Sequence, residues 1–134
     1  MAESERLLLD THAWVWWIDQ SQPLAEAARN AVNAAERLWV SVISCWEIAQ
    51  LVSHERLRLS TDIDIWIDTA LKVPRLEMIG LTPQIAVASN FLPGVLTRDP
   101  ADRIIVATAR VQSMTVVTRD RAMRQYPFVR TIWQ

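Results

Sequence analysis

Short apolar runs alternate with stretches of helical periodicity along the first third of the chain. The run Leu7-Leu8-Leu9 ends at the polar residue Asp10, as in a buried parallel strand, and Thr11 to Ile18 follows with helical spacing. A predicted helix opened by Pro23 carries apolar residues on one face through Ala35, and Leu38 to Val42 is a second strand-like run. The pattern predicts a β-α-β unit with a tight strand-to-helix turn at Asp10.

The middle of the chain continues this alternation. Ser44, with Glu47 three residues later, has the capping-box spacing, which predicts a helix that begins at Ser44 and carries Glu47 in its first turn. Between Asp62 and Lys72 the apolar residues fall on one face, which predicts an amphipathic helix. Leu76 to Leu81 is a predicted strand, and Thr82-Pro83 begins a further helix.

The last third supplies the clearest helix start. Asp99 is a predicted N-cap, with Pro100 at the first helical position and Asp102 in the first turn. A strand, a short helix and a last strand are then predicted at Met114–Thr118, Ala122–Gln125 and Phe128–Ile132. Regular alternation of strands and helices predicts the α/β class, as a three-layer α/β/α sandwich around a mainly parallel sheet.

Composition limits the classes of protein to which this chain can belong. The 134 residues are 51% hydrophobic and 22% charged, which indicates one folded domain over residues 1–134. A formal net charge of −1 gives no bulk attraction to nucleic acid or to an anionic membrane, so any contact with RNA has to be local. Cys45 is the single cysteine and cannot form an internal disulfide. With no secretory signal and no apolar run of membrane-spanning length, we expect a cytoplasmic protein with no membrane partner.

Four acidic residues map to one edge of the predicted sheet, where parallel α/β proteins bind ligands. Asp10 and Asp120 follow strands, and Glu47 and Asp102 begin helices that leave strand ends. Convergent carboxylates repel one another unless a cation lies between them, and oxygen ligands favour Mg²⁺ or Mn²⁺. Two histidines and one cysteine supply a zinc site poorly.

A structural interpretation competes for each acid. In that interpretation Asp10 would cap the helix that begins at Thr11, Glu47 would complete a capping box with Ser44, and Asp99 and Asp102 would stabilise the helix that they begin. Asp120 would belong to an ordinary Arg-Asp turn after a strand. Phosphoaspartate receivers and haloacid-dehalogenase-type phosphatases also use acids and Mg²⁺, but they need a lysine nearby. Lys72, the one lysine of the chain, ends an amphipathic helix, which disfavours both classes.

Four sequence blocks, in this order and spacing, resemble the PIN domain and within it the VapC-like toxins of bacterial toxin-antitoxin pairs. The blocks are Leu-Leu-Leu-Asp10-Thr-His-Ala-Trp, Val-Ile-Ser44-Cys-Trp-Glu47-Ile-Ala, Asp99-Pro-Ala-Asp102-Arg-Ile-Ile-Val-Ala-Thr-Ala and Val-Val-Thr118-Arg-Asp120. The resemblance covers nearly the whole chain.

The resemblance implies a metal-dependent endoribonuclease. Asp10, Glu47, Asp102 and Asp120 would form the acidic cluster around Mg²⁺ or Mn²⁺, and Thr118 would be the hydroxyl residue beside it. The resemblance also implies a homodimer and a cognate antitoxin whose extended tail lies in an apolar groove. The alternatives are a catalytically silent PIN-like module that binds RNA or protein, and a DNA-directed nuclease of the same fold.

Two further groups of residues are candidates for contact with RNA or a partner. Arg98, Arg103, Arg119 and Arg121 lie near Asp102 and Asp120 in the sequence and could supply a local positive rim for RNA, or form a solvated surface. Trp14, Trp16 and Trp17 cannot all point inward from one helix, so at least one is exposed or lies in an interface. An exposed tryptophan can stack on a base or receive an apolar segment, and the resemblance favours the second.

Overall fold

A computed structural model describes residues 5–134, which form five strands and seven helices. In chain order these are β1 (Leu7–Leu9), α1 (Thr11–Asp19), α2 (Glu26–Ala34), β2 (Leu38–Ser41), α3 (Val42–Ser53), α4 (Ile63–Leu71), β3 (Leu76–Ile79), α5 (Pro83–Ala88), α6 (Pro100–Gln112), β4 (Thr115–Val117), α7 (Arg121–Gln125) and β5 (Arg130–Ile132). No helix within residues 5–134 has the length and apolar character needed to cross a bilayer.

The five strands form one sheet in the order β3-β2-β1-β4-β5, and every neighbouring pair is parallel. Leu8 of the central strand lies opposite Trp39 on one side and Val116 on the other. Because all strands run the same way, their carboxyl ends meet at one edge of the sheet. The predicted α/β class with a parallel sheet is confirmed.

The sheet separates two apolar clusters. Side chains alternate along β1, so Leu7 and Leu9 pack with Trp14 of α1 and Trp66 of α4, whereas Leu8 packs on the opposite face. The second cluster is completed by residues of α6, β4 and α7 and of the segments that follow α6 and α7, namely Ile105, Val106, Ala109, Met114, Val116, Met123 and Tyr126. Helices therefore cover both faces, and the predicted three-layer arrangement is confirmed.

The start of α3 differs from the prediction. Ser41, the last residue of β2, is the N-cap, and its hydroxyl accepts a hydrogen bond from the backbone N–H of Ile43 at 3.1 Å. The predicted N-cap at Ser44 is wrong, because the chain passes from strand to helix without a loop and Ser44 lies inside the helix. Glu47 consequently lies in the second turn of α3, and Val42, predicted as strand, is its first helical residue.

The second helix also begins later than predicted. Its first residue is Glu26 and its N-cap is Ala25, which offers no side-chain cap. Pro23 therefore lies outside the helix that it was predicted to open. The amphipathic helix between Asp62 and Lys72 is confirmed, since Trp66 and Ala70 of α4 are buried.

Replacing Ser41 with Ala tests the position of the α3 cap. Loss of the hydroxyl removes the acceptor of the Ile43 N–H, and we expect the free energy of unfolding to fall by about 0.5–2 kcal/mol, as for other caps. Urea denaturation followed by circular dichroism measures this. A Ser41→Ala protein as stable as the parent would contradict the assignment of the cap.

Candidate active site

Asp10 lies at the centre of the carboxyl edge of the sheet. Its backbone N–H donates to the carbonyl of Val117 at 3.0 Å, which ties the end of β1 to the end of β4. One carboxylate oxygen accepts from the Thr11 N–H at 2.8 Å, so Asp10 is the N-cap of α1. The other accepts from the Thr118 hydroxyl at 2.7 Å. Both oxygens are therefore oriented, and the side chain is 6% exposed.

Glu47 reaches the same edge from α3. The hydroxyls of Thr11 and Ser44 are hydrogen-bonded at 2.8 Å in the buried space between α1 and α3, which fixes the two helices side by side. This contact gives Ser44 a structural place beside the acids instead of the predicted capping role. Glu47 lies three residues after Ser44 on α3. It is half-buried and faces the same cleft as Asp10.

Asp99 and Asp102 belong to the start of α6. The Asp99 carboxylate accepts from the backbone N–H of Asp102 at 3.0 Å, so Asp99 is the N-cap that the sequence predicted. Asp102 follows in the first turn, where the positive end of the helix dipole favours an acid. Both side chains line the cleft.

Three of the four predicted acids converge. Ligand oxygens of Asp10, Glu47 and Asp102 lie within 4.8 Å of one another. Asp120 lines the same cleft but is not part of this triplet; its carboxylate accepts from the Met123 N–H at 2.9 Å and caps α7. The four side chains thus share one cleft, with Asp120 at its margin.

Thr118 connects the central acid to the marginal one. Its buried hydroxyl donates to Asp10 and accepts from the backbone N–H of Asp120 at 3.0 Å. The backbone N–H of Thr118 in turn donates to the carbonyl of Ile132 at 3.3 Å. The side chain therefore orients a carboxylate oxygen and fixes the turn that leads to α7.

Burial and mutual repulsion disfavour ionisation of the three converging acids. Burial raises the pKa of Asp10, although hydrogen bonds from Thr118 and Thr11 lower it in part. Burial, and then the charges of Asp10 and Asp99, raise the pKa of Glu47. Burial, followed by the surrounding carboxylates, raises the pKa of Asp102 to about 8.

The donor set fits a divalent cation. Carboxylate oxygens are hard ligands of the kind that Mg²⁺ and Mn²⁺ prefer, and a cation among them would offset the repulsion that raises their pKa values. Neither histidine belongs to the triplet, and the one cysteine, Cys45, lies outside the cleft lining. The arrangement therefore suits a metal held by Asp10, Glu47 and Asp102.

The cleft has a volume of about 480 Å³, and its remaining lining residues are His12, Trp16 and Arg119. Sequence reasoning singled out Arg119 and noted that His12 is close to Asp10, without giving His12 a catalytic role, but it did not place Trp16 at the acids. The available signal was their spacing: His12 and Trp16 are four residues apart on the helix that Asp10 caps, and so share one of its faces.

The other predicted RNA contacts lie outside the cleft lining. Arg103 is half-buried and donates to the backbone carbonyls of Ser89 at 2.9 Å and Thr97 at 3.3 Å, which fastens the loop before α6. Arg98 is exposed in that loop, and Arg121 is exposed on α7. The structure therefore does not bring the four arginines together around the acids.

Comparisons with known proteins agree with this geometry. The PIN domain family matches residues 7–129. The chain is 36% identical over 129 residues to Ribonuclease VapC22 of Mycobacterium tuberculosis, covering 95% of this chain and 98% of that protein.

Solved structures support the same fold. One is VapBC2 from Rickettsia felis bound to a DNA fragment from their promoter, with a TM-score of 0.69, 19% identity, and coverage of 96% of this chain and 98% of that one. Another is DNA-bound VapBC from Salmonella typhimurium, with a TM-score of 0.65, 20% identity, and coverage of 96% and 97%. At these identities the likeness establishes the fold.

Asp102→Asn is expected to stabilise the metal-free protein at high pH. Between the usual pKa of 3.8 and the raised value of about 8, the folded state keeps a proton that the unfolded chain loses, so stability falls as pH rises through this window. Asparagine does not titrate, so the Asp102→Asn protein does not lose this stability as pH rises. We expect a gain of about 1–2 kcal/mol near pH 8, well below the full shift because Asp102 is partly solvated, and little difference near pH 4.

Urea denaturation of both proteins in EDTA across this pH range measures the difference. A parent protein that becomes more stable than Asp102→Asn as pH rises would contradict the burial and repulsion that raise the pKa of Asp102.

Proposed function

The chain belongs to the PIN domain family, and on that premise we propose that it is a metal-dependent endoribonuclease, the toxin of a toxin-antitoxin pair. The observation that carries the proposal is the convergence of Asp10, Glu47 and Asp102 within 4.8 Å, in a chain 36% identical to a VapC ribonuclease. Asp10 and Asp102 are the proposed primary ligands of Mg²⁺ or Mn²⁺. Glu47 and Asp120 complete the shell or orient water.

Each residue of the cleft has a distinct part in this chemistry. Asp10, Glu47 and Asp102 would hold the divalent cation, which would supply Lewis-acid activation of the scissile phosphodiester and of water. The Thr118 hydroxyl keeps one Asp10 oxygen turned toward the protein, which fixes the direction of the carboxylate. Asp99 holds the first turn of α6 and thereby the position of Asp102. Arg119 supplies a cation beside the acids, with Arg98 and Arg121 as outer contacts for the RNA backbone.

A protein partner is the second part of the proposal. Solved proteins of this fold include a toxin-antitoxin complex from Klebsiella pneumoniae. Large apolar side chains lie exposed along α3, α5 and the loop that follows: Trp46 at 50%, Val87 at 61%, Phe91 at 80% and Val95 at 93% exposure. Exposed apolar residues that form a contiguous patch mark surfaces for contact with a protein. We propose a cognate antitoxin as that partner, and the homodimer stays a prediction.

Incubation of the purified protein with labelled structured RNA and Mg²⁺ or Mn²⁺ tests the activity. We expect cleavage that EDTA abolishes and that Asp10→Asn lowers by about 100-fold or more, because a ligand is lost while the asparagine oxygen can still cap α1. Asp64→Asn, an exposed acid on α4, is the matched control and should cleave like the parent.

Several outcomes would redirect the proposal. Equal cleavage by parent and Asp10→Asn proteins indicates a contaminating nuclease. RNA binding without cleavage favours the catalytically silent module. Faster cleavage of a labelled DNA duplex than of RNA favours a DNA-directed nuclease.

Thr118→Val tests the positioning role of the hydroxyl. Valine leaves a buried Asp10 oxygen without its donor, so we expect weaker Mn²⁺ binding and a cleavage rate lower by about 10- to 100-fold. Thr118→Ser restores the donor and should recover most of both. Calorimetric titration with Mn²⁺ and the cleavage rate are the measurements, and a valine variant with unchanged Mn²⁺ affinity would contradict the role.

A further inference from the structure

The aromatic wall of the cleft faces the acids from α1. Trp16 lies one helical turn beyond His12, with their ring centroids 5.7 Å apart and the planes tilted by 50°. Its ring also packs against Trp133 at 6.0 Å. Trp16 is half-buried, so the indole is held by these neighbours while part of it remains open to the cleft. It is a fixed aromatic surface beside the acidic triplet.

Arg119 is the one arginine or lysine among the residues that line the cleft. Its guanidinium lies over the Trp16 ring, 5.8 Å from the centroid, and donates to the side-chain oxygen of Gln22 at 3.3 Å. Within residues 5–134, ion pairs join Arg37 to Glu77 and Lys72 to Asp68, and none involves Arg119. A guanidinium therefore stands beside several carboxylates without pairing with any of them.

Two arginines of α6 are used differently. Arg103 donates to two backbone carbonyls, and Arg110 donates to the carbonyl of Phe128 at 2.6 Å. Their planar groups fasten loops. Arg119 donates to no backbone carbonyl among the described residues, and apart from the N–H that Gln22 accepts, its donors remain available for an anion.

We propose that Trp16 and Arg119 form a nucleotide subsite, in which Arg119 binds an RNA phosphate next to the one that is cut and Trp16 stacks on the attached unpaired base. This inference rests on the proposed ribonuclease function. Acidic side chains repel a phosphodiester, so a strand that enters the cleft needs a local cation, and Arg119 supplies it. An aromatic face beside that cation matches the way proteins hold single-stranded nucleic acid.

The geometry also limits the ligand. A cleft of about 480 Å³ has the size of a small-molecule pocket and accommodates one nucleotide beside the metal ligands. The Trp16 face accepts any base, because stacking is tolerant of sequence. A base paired within a duplex does not expose its face, so the nucleotide in this subsite has to be unpaired.

Binding of a fluorescein-labelled, unstructured 12-nucleotide RNA tests the subsite. Every protein carries Asp10→Asn, so that the probe is not cut, and dissociation constants are measured by fluorescence anisotropy in Mg²⁺ at several salt concentrations. We expect Trp16→Leu to weaken binding about tenfold with an unchanged salt slope, and Trp16→Phe to recover part of the loss. Arg119→Gln should flatten the slope of log affinity against log salt by about 0.7.

Two controls separate stacking from structural damage. Trp17→Leu changes the next residue of the same helix. Trp17 is also half-buried, and the Arg75 guanidinium lies 5.8 Å from the centroid of its ring, but Trp17 is outside the acidic cleft. The Trp17→Leu protein should therefore bind RNA like the parent. A probe of the same length built from abasic nucleotides keeps the phosphates and lacks the bases. On that probe Trp16→Leu should have no effect, whereas Arg119→Gln should keep its effect.

The inference is overturned if Trp16→Leu binds the RNA normally, or weakens binding of both probes equally. It is also overturned if Arg119→Gln leaves the salt slope unchanged, or if the Asp10→Asn parent binds no RNA. A Trp16→Leu protein that binds RNA normally but binds the proposed antitoxin more weakly would assign this surface to protein docking. Cleavage by the wild-type protein judges the ribonuclease proposal separately, so a failure of the subsite can be distinguished from a failure of the ribonuclease function.

Discussion

The structure depends on holding three carboxylates together against their own repulsion. Asp10, Glu47 and Asp102 come from three different elements, and burial disfavours the charge on each of them. Nothing local would keep them together in a flexible chain. The parallel sheet does so, because β1 lies between β2 and β4 and delivers Asp10 to the centre of one edge. The apolar clusters on both faces supply the free energy that offsets this unfavourable arrangement.

The acids also contribute to the fold that confines them. Asp10, Asp99 and Asp120 accept hydrogen bonds from the first turns of α1, α6 and α7. A capping residue has a defined direction, so the same bonds orient these carboxylates at the cleft that they line. The interpretation of these acids as helix caps is therefore compatible with their interpretation as residues of a metal site. This also explains why the site edge coincides with the starts of helices, where backbone N–H groups favour negative charge.

Sequence patterns sufficed for the architecture and for placing the candidate acids at one edge of the sheet, because both depend on short-range signals. Apolar runs that end in Asp10 or before Asp120 mark strand ends, and Asp99-Pro100 marks a helix start. The cap of α3 was missed because Ser41 and Ser44 are both good caps, and only the end of β2 decides between them. Trp16 was missed as a cleft residue because its position depends on Trp133 and Arg119, which are over a hundred positions away.

The two halves of the cleft are built in different ways, and this difference bears on how the cleft would receive the proposed RNA. The acids come from elements tied directly to the sheet, whereas Trp16 projects from the face of α1 and Arg119 from a turn. That turn is nevertheless rigid: Thr118 bonds to Ile132 and Asp10, and Asp120 caps α7, so the backbone on both sides of Arg119 is fixed. A long side chain on a fixed turn can move toward a phosphate without disturbing Asp10. The conformation of the Arg119 side chain is thus independent of the acids, although its guanidinium remains next to them.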